Sequence, residues 1–290
     1  MHPAPSVILF TTFSGLGFGL LAWLGFGIPA VTGWVAFVFF AIAYALAIGG
    51  LVASAFHLGH PERAIKAFTQ WRSSWLSREA WSSVAALLVM AVAGAGAVFF
   101  GAGRSAAGVV GAVLCLGTVF ATSMIYTQLR SVPRWHHWLT PAMFLGFSLA
   151  GGALLAGQVT PAPWLLLLAG IVQVAHWRMG DTALARSGSS LATATGLGGL
   201  GRLRAFEPPH TSPNYLMREF IHVVGRKHRD RLRVIALGLG FALPAALVML
   251  PFSHILAALA VVSHIIGVLA SRWLFFAEAE HVVGLYYGAR

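Results

Sequence analysis

Residues 31–56 read VTGWVAFVFFAIAYALAIGGLVASAF, a run without one charged side chain. A helix of about 20 residues crosses a hydrocarbon core of roughly 30 Å, so this run is long enough to span a bilayer. Inside lipid only helices and closed barrels satisfy their own backbone, and barrel strands give short alternating segments instead of continuous apolar runs. The stretch therefore predicts a transmembrane helix. Working outward, apolar runs at 6–26, 81–100, 108–126, 140–157, 163–179, 234–251 and 254–275 repeat the pattern. The predicted fold is an all-α membrane protein, a bundle of eight transmembrane helices. The composition agrees: 58% of the 290 residues are hydrophobic, 9% are charged, and the mean hydropathy is +0.79. Those values lie outside the usual range of soluble domains.

Residues 1–290 are expected to form a single integral membrane domain, interrupted by an insertion loop at 178–233. The first apolar run lacks the cationic segment that precedes a secretory signal, so no cleavage is expected. The insertion opens with small polar residues and continues as EPPHTSPNY, with a short helix expected from Ser212 through about Val224. Gly196, Gly198 and Gly201 spell G-x-G-x-x-G, but no predicted strand precedes them, so no dinucleotide site is assigned.

The cations divide unevenly between the connections. Arg63, Lys66, Arg72 and Arg78 follow the second run, Arg130 and Arg134 follow the fourth, and ten more lie from Arg178 to Arg233. The odd-numbered connections hold only Arg104. The positive-inside rule puts the basic loops and both termini in the cytoplasm. The net charge of +11 is thus a topology signal, a lipid-headgroup attraction or a docking surface for an acidic partner, and the basic stretches contain no nucleic-acid-binding module. The single cysteine, Cys115, excludes an internal disulfide and a four-thiolate iron-sulfur cluster.

Between the second and third runs lies residues 56–81, FHLGHPERAIKAFTQWRSSWLSREAW. Ile65, Phe68, Trp71 and Trp75 recur at helical spacing with Arg63, Lys66 and Arg72 among them, which predicts an amphipathic helix in the interface. His57 and Glu79 flank this turn at the membrane boundary, where a lipid-soluble ligand meets aqueous protons. A capping or packing role for His57, and a carboxylate paired with Arg78 or Arg63, are the structural alternatives.

His57, Leu58, Gly59, Pro61, Arg63 and Ala64, followed by Leu76, Ser77 and Glu79, resemble the HLGxPxRA and LSxE signature of the dimethyl sulfoxide reductase membrane anchor family, DmsC. Val132, Pro133 and Trp135, then Trp138, Thr140 and Pro141, are similar to a second family motif, and Arg272 with Phe275 and Phe276 to a third. The resemblance implies an eight-helix anchor holding an iron-sulfur electron-transfer subunit and a molybdopterin catalytic subunit on a bacterial inner membrane. It implies electron exchange with a quinone, ubiquinone or menaquinone, and no haem or iron-sulfur cluster in this chain. His57 and Glu79 match the family's quinol-site histidine and glutamate.

Quinone chemistry moves two protons with two electrons, which suits a histidine and a partly buried carboxyl. Arg63 would orient Glu79 or stabilise a reduced quinone, and Trp71, Trp75 and Trp81 would line the ring, although interfacial tryptophans are ordinary belt residues. Arg130, Arg134 and Arg272 are the expected docking cations. In the dimethyl sulfoxide reductase anchors the signature loop is thought to face the periplasm, whereas the charge count here places it in the cytoplasm. That orientation and the long basic loop are similar to the sulfite-oxidising branch, which makes sulfite oxidation the favoured reaction over a menaquinol-oxidising reductase. A transporter lacks support from internal repeats, and a haem protein would draw on His176, His254 or His264.

Overall fold

The computed structural model describes residues 2–56, 58, 60–204, 206–207, 212, 214–221 and 228–287. In chain order the helices are α1 (Pro5–Gly25), α2 (Gly33–Ala55), α3 (Trp75–Phe100), α4 (Ala106–Thr127), α5 (Leu139–Leu155) and α6 (Pro161–Gly180). There follow the short α7 (Ala183–Arg186), α8 (Leu191–Thr195) and α9 (Tyr215–Phe220), then α10 (Arg229–Leu237), α11 (Leu243–Met249) and α12 (His254–Ala277). A π turn at Gly238–Ala242 joins α10 to α11 in one rod.

Six of these rods are long and apolar enough to cross a membrane: α1, α2, α3, α4, α12 and the composite Arg229–Met249. The architecture is therefore an all-α, multi-pass membrane bundle. Of the remaining two predicted spans, α5 is apolar but has 17 residues, and α6 carries Gln173, His176 and Arg178 in its second half.

Local chemistry sets the helix ends. Pro5 and Pro161 occupy first-turn positions, where a missing N–H costs nothing. Ser105 caps α4 by accepting the Gly108 N–H at 3.0 Å, and Gly101, at φ 68°, closes α3 in the left-handed conformation. The π turn has a clear cause. Pro244 has no N–H to give the Gly240 carbonyl; His264 Nδ1 donates to that oxygen at 2.6 Å, and Ser263 Oγ donates to Leu239 O at 2.7 Å.

Helix α1 is the centre of the bundle. Of its most apolar window 72% lies inside the protein, against 28% for α2, and α1 packs on α2, α4, α5 and α12. Small residues permit that approach. A Cβ at Gly17 would sit 2.3 Å from Ala47 N on α2, and one at Gly152 would sit 2.4 Å from Gly19 C, so α1 meets α2 and α5 backbone to backbone.

Two expectations change. The third helix begins at Trp75, six residues before the predicted 81, and the turn preceding it is a 3-10 helix, Pro61–Phe68, followed by turns instead of one amphipathic helix reaching Trp75. Pro61 starts the 3-10 segment, and Ser74, in extended conformation, separates it from α3. In the insertion, ordered helix is limited to short pieces. Asn214 caps α9 by accepting the Met217 N–H at 2.9 Å, so the helix expected from Ser212 runs over Tyr215–Phe220; Pro213, His222, Val223 and Val224 lie outside the described residues.

Candidate functional site at the basic end of the bundle

The even-numbered connections gather at one end of the bundle, where a four-residue ion cluster ties the turns after α4 and α6 to α10 and the end of α12. Arg134, after α4, donates to Asp181 Oδ1 at 2.7 Å and to Glu278 Oε2 at 3.2 Å. Arg233 donates to Asp181 at 2.7 and 2.9 Å and to Glu278 Oε1 at 2.8 Å, while its guanidinium lies 5.1 Å over the Trp177 ring. Two cations face two carboxylates, so the buried charges compensate one another. Partial burial of Asp181 favours its neutral form, but the hydrogen bonds from Arg233 and Arg134 outweigh it and hold the carboxyl well below the usual carboxylate range.

At the same end a cavity of about 700 Å³ opens between the start of α1, the end of α2, the 3-10 turn and the start of α3. Its walls are mainly apolar, from Phe10, Leu51, Ala55, Leu76 and Val84, with Arg63 and Lys66 at the exposed 3-10 turn. Glu79 reaches it from the second turn of α3 and is 4% exposed. The Thr122 hydroxyl of α4 donates to Glu79 Oε1 and also lies 3.0 Å from Thr118 O. Among the described residues no cation lies within ion-pair distance of Glu79. Arg78 is turned away, donating to Trp71 O and Arg72 O over the Trp75 ring, so the alternative of a carboxylate paired with Arg78 or Arg63 is not formed among the described residues. A buried carboxyl without a counter-cation is costly to keep in a largely apolar wall, which makes Glu79 the candidate functional group of this cavity.

Arg63 and Glu79 thus line one cavity, while His57 lies outside the described residues. Trp71 and Trp75 are not among the wall residues: Trp71 is 56% exposed beside Arg72, and Trp75 packs edge-on against Phe120 at 5.9 Å. Trp81 caps the 3-10 turn, donating to Phe68 O at 3.0 Å. Tyr126 is a wall residue that the sequence did not single out. It sits in an aromatic cluster with Trp135, Phe144, Phe275 and Phe276.

The expected docking cations separate. Arg130 is exposed, but Arg134 is buried in the ion cluster and Arg272 is buried with its guanidinium 3.7 Å over the Phe144 ring. Arg134 and Arg272 are therefore interior residues, because their charge is spent on carboxylates and aromatic faces within the bundle. His176 and His264 are likewise engaged, on Thr140 and on the Gly240 carbonyl, and His254 is exposed at the first residue of α12. Among the described residues no group of three or more His, Cys, Asp or Glu is placed to hold a metal ion.

Residues 2–179 match the family described as DMSO reductase anchor subunit (DmsC). The chain belongs to the DMSO reductase anchor subunit family. A curated relative from Allochromatium vinosum, one of the subunits of its sulfite dehydrogenase, is 33% identical over 327 aligned residues, covering 99% of this chain and 99% of the relative. No solved structure matches. The DmsC match spans α1 to α6 and so contains the whole cavity wall, whereas Arg233, Arg272 and Glu278 lie beyond it. As a member of this family the chain is a membrane anchor subunit of a multi-subunit oxidoreductase.

Proposed function

We propose that this chain passes electrons between an iron-sulfur partner and the membrane quinone pool, in a complex whose molybdopterin subunit oxidises sulfite to sulfate. The observation that carries the quinone reading is the largely apolar cavity with Glu79 buried in its wall and no cation beside it among the described residues. Its size and largely apolar surface fit an apolar ring with a lipid tail, and its acidic and basic wall residues His60, Arg63, Lys66 and Glu79 lie at the 3-10 turn and the start of α3. Reduction of a quinone consumes two electrons and two protons. Glu79, hydrogen-bonded by Thr122, holds a proton at its carboxyl and hands it to an oxygen bound beside it. Arg63, on the solvent side of the cavity, favours negative charge on that oxygen, and His57 is assigned the second proton-exchanging role. The apolar walls exclude bulk water from the exchange.

The full-length similarity to a sulfite dehydrogenase component supports the sulfite branch over a menaquinol-oxidising reductase. We also infer that α5 and α6 cross the membrane, giving eight spans, since both pack on the bundle, α6 leaves the apolar face of Trp164, Leu168 and Ile171 exposed, and the turns after α4 and α6 meet in one ion cluster. The basic end is assigned to the cytoplasm on charge. The substrate assignment is tested by purifying the complex and following quinone reduction with sulfite as donor. Sulfite-dependent reduction supports the assignment, and turnover only in the direction of sulfoxide reduction overturns it. A cytoplasmic reporter fused after Ala205 should be active and a periplasmic one silent.

A further inference from the structure

A second cavity, of about 530 Å³, lies at the same end of the bundle between the turn after α4 and the start of the insertion. Arg130, Arg134, Arg186, His136, His137 and His176 line it, and none of its wall residues is a carboxylate. The Arg134 charge is matched by Asp181 and Glu278, but Arg130 and Arg186 have no acidic partner among the described residues. Among the described residues the Arg186 side chain reaches the Met179 carbonyl and the Thr182 hydroxyl. His137 is held below the usual histidine range by partial burial and by the neighbouring charges of Arg186 and His136.

The buried wall is also incompletely hydrogen-bonded. His176 is 2% exposed and its Nδ1 has no partner among the described residues, and neither has Nε of Arg134 at 6% exposure. Unsatisfied buried groups of this kind cost free energy unless a ligand or solvent meets them. Their chemistry differs. The Thr140 hydroxyl donates to Trp135 O at 2.8 Å, so it accepts from His176 Nε2 at 3.3 Å and leaves Nδ1 as a bare acceptor. His137 Nδ1 accepts the Leu139 N–H at 3.1 Å, which puts its proton on Nε2 as a donor. The wall therefore offers two unmatched guanidinium groups and an imidazole donor beside one unfilled acceptor.

We propose that this cavity binds a phosphate group that also presents a hydroxyl. The phosphate oxygens accept from Arg130, Arg186 and His137, and the hydroxyl faces the acceptor side of His176. Sulfate, which has acceptors only at neutral pH, fits the cationic wall but not His176. Two sources carry this chemistry: a hydroxylated anionic phospholipid headgroup, such as phosphatidylglycerol, and free hydrogen phosphate. The site is separate from the cavity at Glu79, so it stands or falls independently of the quinone reading.

The test uses the full chain in neutral detergent, comparing phosphatidylglycerol with phosphatidylcholine by native mass spectrometry and inorganic phosphate with sulfate by competition. Preferential retention of phosphatidylglycerol that millimolar phosphate does not displace identifies a lipid; displacement by phosphate, or phosphate binding alone, identifies the free ion. In either case the Arg130→Gln/Arg186→Gln pair is expected to weaken binding about tenfold or more, while Arg104→Gln, at the opposite end, leaves it unchanged. Both arginines are exposed, and an unchanged melting midpoint in ligand-free buffer verifies the fold; Arg130→Gln alone serves if the pair does not fold. Equal retention of the two lipids with no phosphate binding overturns the proposal. So does binding that survives the double variant or is lost equally in Arg104→Gln.

Discussion

Thr122 on α4 donates its hydroxyl to Glu79 on α3, joining the two helices across 43 residues of sequence at the wall of the apolar cavity. The contact fixes the carboxyl's orientation without supplying a counter-charge. It holds a buried carboxyl in the cavity wall, the group to which the proton-carrying role is assigned in the proposed function.

The ion cluster at the basic end should dominate stability there. Removing one partner leaves an uncompensated buried charge, so Arg134→Ala is expected to cost about 3–5 kcal/mol. Thermal unfolding of the purified chain checks this. Arg134→Met with Glu278→Gln should recover part of the loss, because Asp181 and Arg233 then remain as a balanced pair.

Acid should act on the same cluster. The folded carboxyl of Asp181 titrates below its ordinary value of 3.8, so its contribution is fully present above that value and lost as pH falls through the lower, folded one. Stability from this group is therefore flat from neutral pH down to about 5 and falls below about 4. Melting curves against pH should show Asp181→Asn less stable at neutral pH and less sensitive to acid than the parent.

Backbone contact between α1 and α5 leaves no room for a side chain. Gly152→Leu would drive its Cβ to within 2.4 Å of the Gly19 backbone, where no flexible atom can yield. The variant should accumulate poorly in membranes and elute as aggregate. Gly157→Ala is the comparison: its Cβ meets open space and only the positive φ of 65° is strained, so the loss should be about 1 kcal/mol.

The apolar helices were legible in the sequence because long apolar runs mark them, and observed ends fall within a few residues of the predicted ones for α1, α2, α4, α5, α6 and α12. Trp75–Ala80 was not read as part of the third apolar helix, since its mixed polar composition hides the first turns of α3 below the apolar run. Glu79 and Arg63 were legible as ionisable groups at a span boundary, and both face one cavity. Thr122 and Tyr126 were not, because a hydroxyl or phenol in an apolar run carries no local mark of its distant partner. Arg134 and Arg272 read as surface cations for the same reason: Asp181 is 47 residues and Glu278 144 residues from Arg134, and only the folded bundle brings them together.

Glu79 is assigned the proton-carrying role at the proposed quinone site. Glu79→Gln keeps an oxygen that accepts from Thr122 and removes the titratable group. In the assembled complex, with sulfite as donor, the variant should lower quinone reduction by about 100-fold while sulfite oxidation coupled to a water-soluble dye is unchanged. Quinone reduction at the parent rate, with the complex intact, would rule that role out.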